Sequence, residues 1–177
     1  RLLTGNRIFM DRMIGVGALS KEDTIAYAIT GPLLRAAGVP YDVRKAKPYW
    51  VYDRMEFEVP TGENGDNYNH YLVRMAEMEQ SMRIVEQALD QIPGGPVNVG
   101  DKRVVLPPKE ETYGSIEGLM NHFMLIMGGY GVCPPKGEAY FPVEGANGEL
   151  GFYIVSDGTD RPYRVRCRPP CLPPVAA

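Results

Sequence analysis

Arg164, Arg166 and Arg168 alternate with Val165 and Cys167 near the end of the chain. On a strand, where successive side chains point to opposite faces, the three guanidinium groups share one face. Such a face suits carboxylates or an anion. It would serve as a solvated edge strand protected from aggregation by its charge, as a contact with an acidic surface of another protein in a complex, or as a positive field favouring the reduced state of a nearby redox centre. A second charged set, Arg35, Asp42, Arg44, Asp53 and Arg54, brackets a short segment rich in proline and aromatic rings. A loop so crowded with rings desolvates some of its charges, and buried charges persist mainly as pairs. Arg35 or Arg44 is therefore expected to pair with Asp42 or Asp53.

The other chemically suggestive groups have simpler structural explanations. Gly15-Val16-Gly17-Ala18-Leu19-Ser20 comes near a dinucleotide-binding glycine loop, in which backbone N–H groups at a helix N-terminus hold a pyrophosphate. Glu22 and Asp23 stand where the phosphates would go, so the segment reads as a turn. His70 and His122 are the only histidines, too few for a typical protein-only metal site; His70 reads as a helix-surface residue. Ser156, Asp157 and His122 can be written as a hydrolytic triad, but no nucleophile-elbow pattern surrounds the serine. Cys133, Cys167 and Cys171 form neither an even set nor a C-x-x-C pair, which argues against a disulfide framework or a zinc site and for a reducing compartment. Met75/Met78/Met82 and Met120/Met124/Met127 recur at helical spacing and read as helix–helix core in preference to a slot for an apolar ligand tail. No catalytic, cofactor-binding or metal-ligating residue is assigned.

With 177 residues, 44% of them hydrophobic, the chain is long enough to bury a substantial core. Gly and Pro make up about a fifth of it, which implies many loops. A net charge of −3 argues against sequence-independent nucleic-acid binding, which needs an excess of Lys and Arg. No apolar run approaches the roughly 18–20 residues that cross a bilayer, and no signal peptide opens the chain. Membrane association would come through a partner. The chain begins without Met and ends in a Pro-rich run with no closing element, so it reads as a fragment.

These residues need elements to position them. Ser20 and Asp23 have the spacing of a capping box and predict a short helix over 21–29. Pro32 restarts a helix that Gly38 and Pro40 stop, and residues 40–65 read as a structured loop. From 66 to 92, Tyr71, Met75, Met78, Met82, Val85, Leu89 and Ile92 recur at alternating intervals of four and three, predicting a helix about 40 Å long that Pro93–Pro96 ends. A polar connection runs to about 114. Ser115 then caps a helix with Ile116, Leu119, Met120, Phe123 and Met127 along one side, stopped at Gly128–Gly131. Segments 138–145, 151–156 and 163–168, separated by Asn147-Gly148 and Asp157-Gly158, predict a small antiparallel sheet. The Pro-rich end suits an extended linker. The fold class is α+β. Residues 1–132 form a helical part with a structured loop and 133–177 a small sheet with a Pro-rich end, both in one incomplete domain.

Several segments together carry a family resemblance: LLTGNRIFMDRMIGVG at 2–17, YDVRKAKPYWVYDR at 41–54, GDNYNHYLVRMAEMEQSMRIVEQAL at 65–89, LPPK at 106–109 and GELGFYIVSDGTDRPYRVRCRPP at 148–170. The chain resembles the D subunit, the 49 kDa-type quinone-site subunit, of the proton-pumping NADH-quinone oxidoreductase, respiratory complex I. It departs locally at Asn121, where a second His commonly precedes His122, and at Gly145-Ala146-Asn147, where the family tends to have Ala-Pro. Gly31-Pro32-Leu33-Leu34-Arg35 is also similar to the Gly-Pro-Leu-Ala-Arg segment of the nickel-iron hydrogenase large subunit, so the resemblance implies a related fold. It implies a protein that binds no cofactor of its own and forms a quinone-reduction cavity with the neighbouring iron-sulfur subunit. Electron transfer from NADH to quinone is coupled there to proton translocation, with quinone, iron-sulfur clusters and FMN in the assembled complex. The implied partners are quinone and the other NADH-quinone oxidoreductase subunits, especially the B (iron-sulfur) and C subunits. Membrane contact runs through these partners, and the implied location is peripheral on the cytoplasmic side of the cell membrane. The His and Tyr that contact the quinone head group lie upstream of this chain in the family.

On this reading Arg35, Asp42, Arg44, Asp53, Arg164, Arg166 and Arg168 are candidates for structural or subunit contacts, and the isolated fragment is expected to be inactive and poorly soluble or molten. The alternatives are the large subunit of a membrane-bound nickel-iron hydrogenase relative, a non-catalytic assembly or interaction module of the same fold, and a small independent hydrolase.

Overall fold

A computed structural model describes residues 2–101, 104–127 and 133–176, the side chain of Ala176 excepted. Eight helices, a 3-10 turn and three strands are present among them. Their contacts divide the chain into two units: Arg1–Ile92 with Phe141–Gly151 and Cys167–Ala177, and Pro93–Tyr140 with Phe152–Arg166.

In the first unit, α1 (Arg7–Met13) opens on Asn6, whose side chain accepts from the N–H groups of Ile8 and Phe9. α2 (Lys21–Ala26) is capped by Ser20 Oγ, which accepts from Asp23 N and donates to the Asp23 carboxylate. This helix ends before 29. Ala28 adopts φ 52, its N–H bonding Ile25 O at 3.0 Å while Ile29 N bonds Thr24 O at 2.9 Å. That pair of bonds is a Schellman stop, and it turns Ile29 into the core at 2% exposure. Signals for such a stop lean on glycine, and here an alanine makes it.

α3 (Pro32–Ala36) has Pro at N1 and stops in the same way, with Gly38 at φ 87, Gly38 N bonding Arg35 O and Val39 N bonding Leu34 O. The expected loop over 40–65 is structured. It contains α4 (Val43–Ala46) and a 3-10 turn at Tyr52–Arg54, after which residues 55–59 run alongside α5.

The long helix is α5, Asn67–Gln91, capped by Asp66. Asp66 is buried and does double duty: one carboxylate oxygen accepts from Asn69 N, the other from Gly15 N at 2.9 Å. The Gly15–Ser20 segment is thus a turn tied to the start of α5, as Glu22 and Asp23 beyond it predict.

The face that α5 presents inward is not the apolar stripe. Val73 is buried and Ala76, Glu77, Gln80, Ile84, Gln87 and Ala88 are half-buried, whereas Met78, Met82, Val85, Leu89 and Ile92 are all at least half exposed. The expectation that Met75, Met78 and Met82 form helix–helix core is therefore corrected for the latter two. Hydrogen bonding decides the orientation. Gln80 Oε1 accepts from Glu58 N, Gln87 bonds both the N–H and the C=O of Glu56, and Glu77 meets Arg35. The polar flank supplies what the neighbouring backbone lacks.

The core of this unit is Ile29, Leu34, Ala36, Ala37, Val43, Met55, Phe57 and Val73. α8 (Leu172–Ala176) replaces the expected extended linker. Its two prolines sit in the first turn, where the missing N–H groups have no helical partner anyway.

The sheet runs in the order β1 (Gly137–Gly145), β2 (Gly148–Ser156), β3 (Arg164–Arg168), antiparallel as expected. Ala146 and Asn147 make the first turn. Gly148 at φ 128 lies against Gly31 at φ 75, and a Cβ on Gly31 would collide with the Gly148 and Asn147 backbone. The absence of two side chains lets this hairpin dock on the α2–α3 turn.

In the second unit α6 (Lys109–Gly114) adds a helix to the expected connection, and α7 (Ile116–Ile126) follows the predicted cap, Ser115 Oγ accepting from Gly118 N. The two helices pack through Gly118 against the Glu111 carbonyl. Met120, Met124 and Met127 are exposed, so the core expectation is corrected for this cluster too. The expected stop at Gly128–Gly131 lies outside the described residues.

Candidate functional site

The strongest concentration of chemistry in the fold is a buried ion cluster in the first unit. Pro32 and the short α3 aim Arg35 into the interior, where its side chain is 2% exposed. Its Nε donates to Glu77 Oε1 at 2.6 Å, Nη2 to Glu144 Oε1 at 3.0 Å and Nη1 to the Tyr41 carbonyl at 2.9 Å, with Asp42 Oδ2 3.6 Å from Nη1. One guanidinium thus joins α3, the 39–42 loop, α5 and β1, using the fixed fork that Lys lacks. Asp42 caps α4 by accepting from Arg44 N, and its two oxygens also take Arg44 Nε at 3.0 Å and Nη2 at 2.7 Å. The Arg44 guanidinium lies over Phe57, 4.8 Å from the ring centroid, and near Tyr52.

Asp42 and Glu144 are pushed in opposite directions. Burial works against ionised Asp42, but the hydrogen bonds and charge of Arg44, with Arg35 behind, hold its carboxyl below the usual range. Arg44 is raised in turn, the Asp42 bonds outweighing its own burial. Glu144 goes the other way: burial pushes it up, Asp42 adds repulsion, and Arg35 only partly offsets them. Around the cluster, Tyr49 OH accepts from Glu144 N while its ring stands edge-on to Tyr52 and Phe141. Tyr41 OH donates to Glu149, and burial and that carboxylate raise Tyr41.

Expected pairing is present, since both Arg35 and Arg44 meet Asp42. Asp53 is exposed in the 3-10 turn and, like Arg54, makes no ion pair among the described residues.

The arginines of β3 separate. Arg168 is half-buried and spends its donors on Ala28 O at 2.8 Å, Glu149 O at 2.8 Å and Thr30 Oγ1 at 3.3 Å, satisfying the strained α2 stop. Arg164 and Arg166 are exposed on the edge strand without an ion pair among the described residues.

A family model described as the 49 Kd subunit of respiratory-chain NADH dehydrogenase matches residues 1–177. The chain belongs to this family. Among its relatives, the D subunit of NADH-quinone oxidoreductase from Myxococcus xanthus is 60% identical over 99% of the chain and 42% of the relative. The D 1 subunit from Sorangium cellulosum is 57% identical over 97% of the chain and 42% of the relative, and the C/D subunit from Bdellovibrio bacteriovorus is 54% identical over 97% and 30%. The chain therefore spans less than half the length of the curated relatives it matches.

Within this 49 Kd family member, several functional-looking residues serve the scaffold. His70 is half-buried and not simply on the helix surface: its Nε2 accepts from Arg74 Nε at 3.0 Å, and burial, then Arg74, lowers its pKa. Arg74 goes on to hold the Ala146–Asn147 turn through Ala146 O and Asn147 Oδ1, which gives that turn a polar anchor. Ser156 Oγ donates to Pro134 O and Asp157 accepts from Thr159, leaving no bonded triad with His122 among these residues. The three cysteines are free and exposed. No three His, Cys, Asp or Glu side chains among the described residues converge as metal ligands, and no helix among them is long and apolar enough to cross a membrane.

Sequence reasoning missed Glu77 and Glu144, half of what Arg35 binds. A carboxylate inside a helix or strand looks like an ordinary solvated charge. The one available signal was that Glu77 falls on the same side of α5 as Val73, away from the methionine stripe.

Proposed function

We propose that the whole protein is the component that, with the neighbouring iron-sulfur (B) subunit, forms the quinone-reduction cavity of the proton-translocating NADH-quinone oxidoreductase, and that residues 1–177 are part of its scaffold. The single observation that carries this reading is the family match over the full chain with 60% identity to the D subunit of the Myxococcus xanthus enzyme. The double name C/D of the Bdellovibrio relative supports the C subunit as a second neighbour. In this reading the iron-sulfur clusters and FMN are held by its partners. The location is the cytoplasmic face of the membrane, and the fold is related to the nickel-iron hydrogenase large subunit through Gly31–Arg35.

The contribution of this chain follows from its own geometry. Arg35 and Arg44 lock α3, α4, α5 and β1 into one body, so that segments beyond this chain can be placed to within fractions of an ångström, as a site that positions a substrate requires. Arg164 and Arg166, free on an edge strand, are contacts to an acidic partner surface. The exposed faces of α5 and α7 are covered in the whole assembly, which is the physical basis for poor solubility of the isolated chain.

The test is the full-length protein carrying Arg35→Met, assembled with its partners. NADH oxidation by an artificial acceptor that draws electrons before the quinone step should persist while quinone reduction falls. Equal loss of both, with assembly intact, would refute a quinone-side role. Unchanged quinone reduction would refute the scaffold reading.

A further inference from the structure

Two guanidinium groups share the buried cluster with three carboxylates, which leaves one negative charge in excess. The carboxylates are unequally served. Asp42 takes two Arg44 side-chain bonds and the Arg44 N–H, with Arg35 close by. Glu77 has the shortest Arg35 bond and keeps 19% of its side chain in water. Glu144 is 5% exposed; Oε1 has one Arg35 donor and Oε2 only the Val43 N–H at a long 3.4 Å. An uncompensated charge so deep is strongly disfavoured, and a carboxyl usually escapes that cost by protonation.

We propose that Glu144 is a proton-binding site: the cluster carries one proton, held on the Glu144 carboxyl, and exchanges it with water through the adjoining cavity. That cavity, about 260 Å³, is bounded by Arg35, Arg44, Glu77, Ser81 and Glu144. No neighbouring group competes for the role. Arg35 from α3 and Arg44 from α4 are permanent cations, and Lys45 on α4 turns away over Phe57. Asp42 is held ionised, Glu77 on α5 is partly hydrated, Arg74 on α5 serves the hairpin turn, and Glu149 on β2 takes the Tyr41 hydroxyl. Tyr49 meets the Glu144 backbone and is raised further by burial, and Tyr52 faces Arg44. The upward push that burial gives Glu144 agrees with this geometry.

The test is the thermal midpoint of the full-length protein from pH 5 to pH 9, in wild type, Glu144→Gln and Glu77→Gln. It uses no quinone chemistry, so its failure leaves the quinone-site reading standing. A proton taken up on folding becomes more costly as pH rises above the unfolded pKa, until the folded pKa is passed. Glu144→Gln removes that cost, so its midpoint should rise relative to wild type as pH increases, by about 2 °C or more at pH 8, while Glu77→Gln lowers the midpoint throughout. A lowered midpoint for Glu144→Gln at neutral pH would overturn the proposal, because the anion would then be required. So would a wild-type midpoint that rises with Na⁺ or K⁺ but not with tetramethylammonium and loses this response in Glu144→Gln, which would assign the excess charge to a bound cation. If Glu144→Gln does not fold, infrared spectra of wild type and Glu144→Asp decide. A protonated carboxyl band present at pH 7 and shifted by Glu144→Asp is expected, and an unaltered carboxyl region overturns the proposal.

Discussion

Replacing Arg35 by Met keeps most of the side-chain volume and removes every donor of the cluster's central guanidinium. The Glu77 carboxylate loses a 2.6 Å charged bond, the Tyr41 carbonyl loses its 2.9 Å donor, and Asp42 keeps only Arg44. A hydrogen bond to a charged group contributes about 1.5–3 kcal/mol and one to a neutral carbonyl about 1 kcal/mol. With Glu144 protonated, its own loss is that of a neutral acceptor, and Glu77 regains some water because it is 19% exposed. The net expectation is a loss of about 3–5 kcal/mol, the range found when one partner of a buried pair is removed. That is a large part of the ~5–15 kcal/mol that holds a domain together. Denaturant unfolding of the full-length protein measures it. Arg35→Lys should recover less than half, since an ammonium cannot reach three acceptors in a plane. Adding Glu77→Gln to Arg35→Met should restore about 1.5–3 kcal/mol by removing the stranded charge. A single-variant loss under about 1 kcal/mol, or strict additivity of the two changes, would refute the reasoning that Arg35 is the hub.

Four further outcomes test the rest of the fold. Asp66, buried and bonded to Gly15 N and Asn69 N, has its pKa lowered because those bonds outweigh burial; its contribution is present above the unfolded value near 3.9 and is lost as pH falls through the folded value, so Asp66→Asn should flatten the acid limb of a stability–pH curve. Arg168→Ala should cost about 2 kcal/mol by leaving Ala28 O, Glu149 O and Thr30 Oγ1 short of a donor, whereas Arg164→Ala and Arg166→Ala should each stay within about 0.5 kcal/mol in denaturant unfolding. Ala28→Gly should raise stability by about 0.5–1 kcal/mol, because φ 52 suits glycine at a Schellman stop. Gly31→Ala should lower it by more than about 2 kcal/mol in the same assay, through backbone collision with Gly148 and a positive φ.

Local chemistry was legible where one segment contains both partners. Ser20 with Asp23, Pro32 at N1, Gly38 at the end of α3 and Ser115 before α7 all act as their spacing predicts, because a cap needs only its own turn. The Arg44–Asp42 pair was legible for the same reason. Ala28 was not, since nothing in an alanine announces a left-handed backbone; the demand comes from burying Ile29.

What the sequence by itself determined is the family, the α+β class, the long α5 and the hairpin with its third strand, all set by periodicity, turn residues and motif content over short range. Tertiary structure alone decided which face of α5 points inward. Its apolar stripe, the usual guide, lost to Glu77, Gln80 and Gln87, whose partners Arg35, Glu58 and Glu56 lie 42, 22 and 31 positions away. It also decided that Arg35 would find Glu144, 109 positions off, and that Arg168 would part from Arg164 and Arg166 on the same strand. Pairing across such distances depends on where the folded chain brings donors and acceptors out of water together, and an unpaired buried polar or charged group is costly enough to override a hydrophobic pattern.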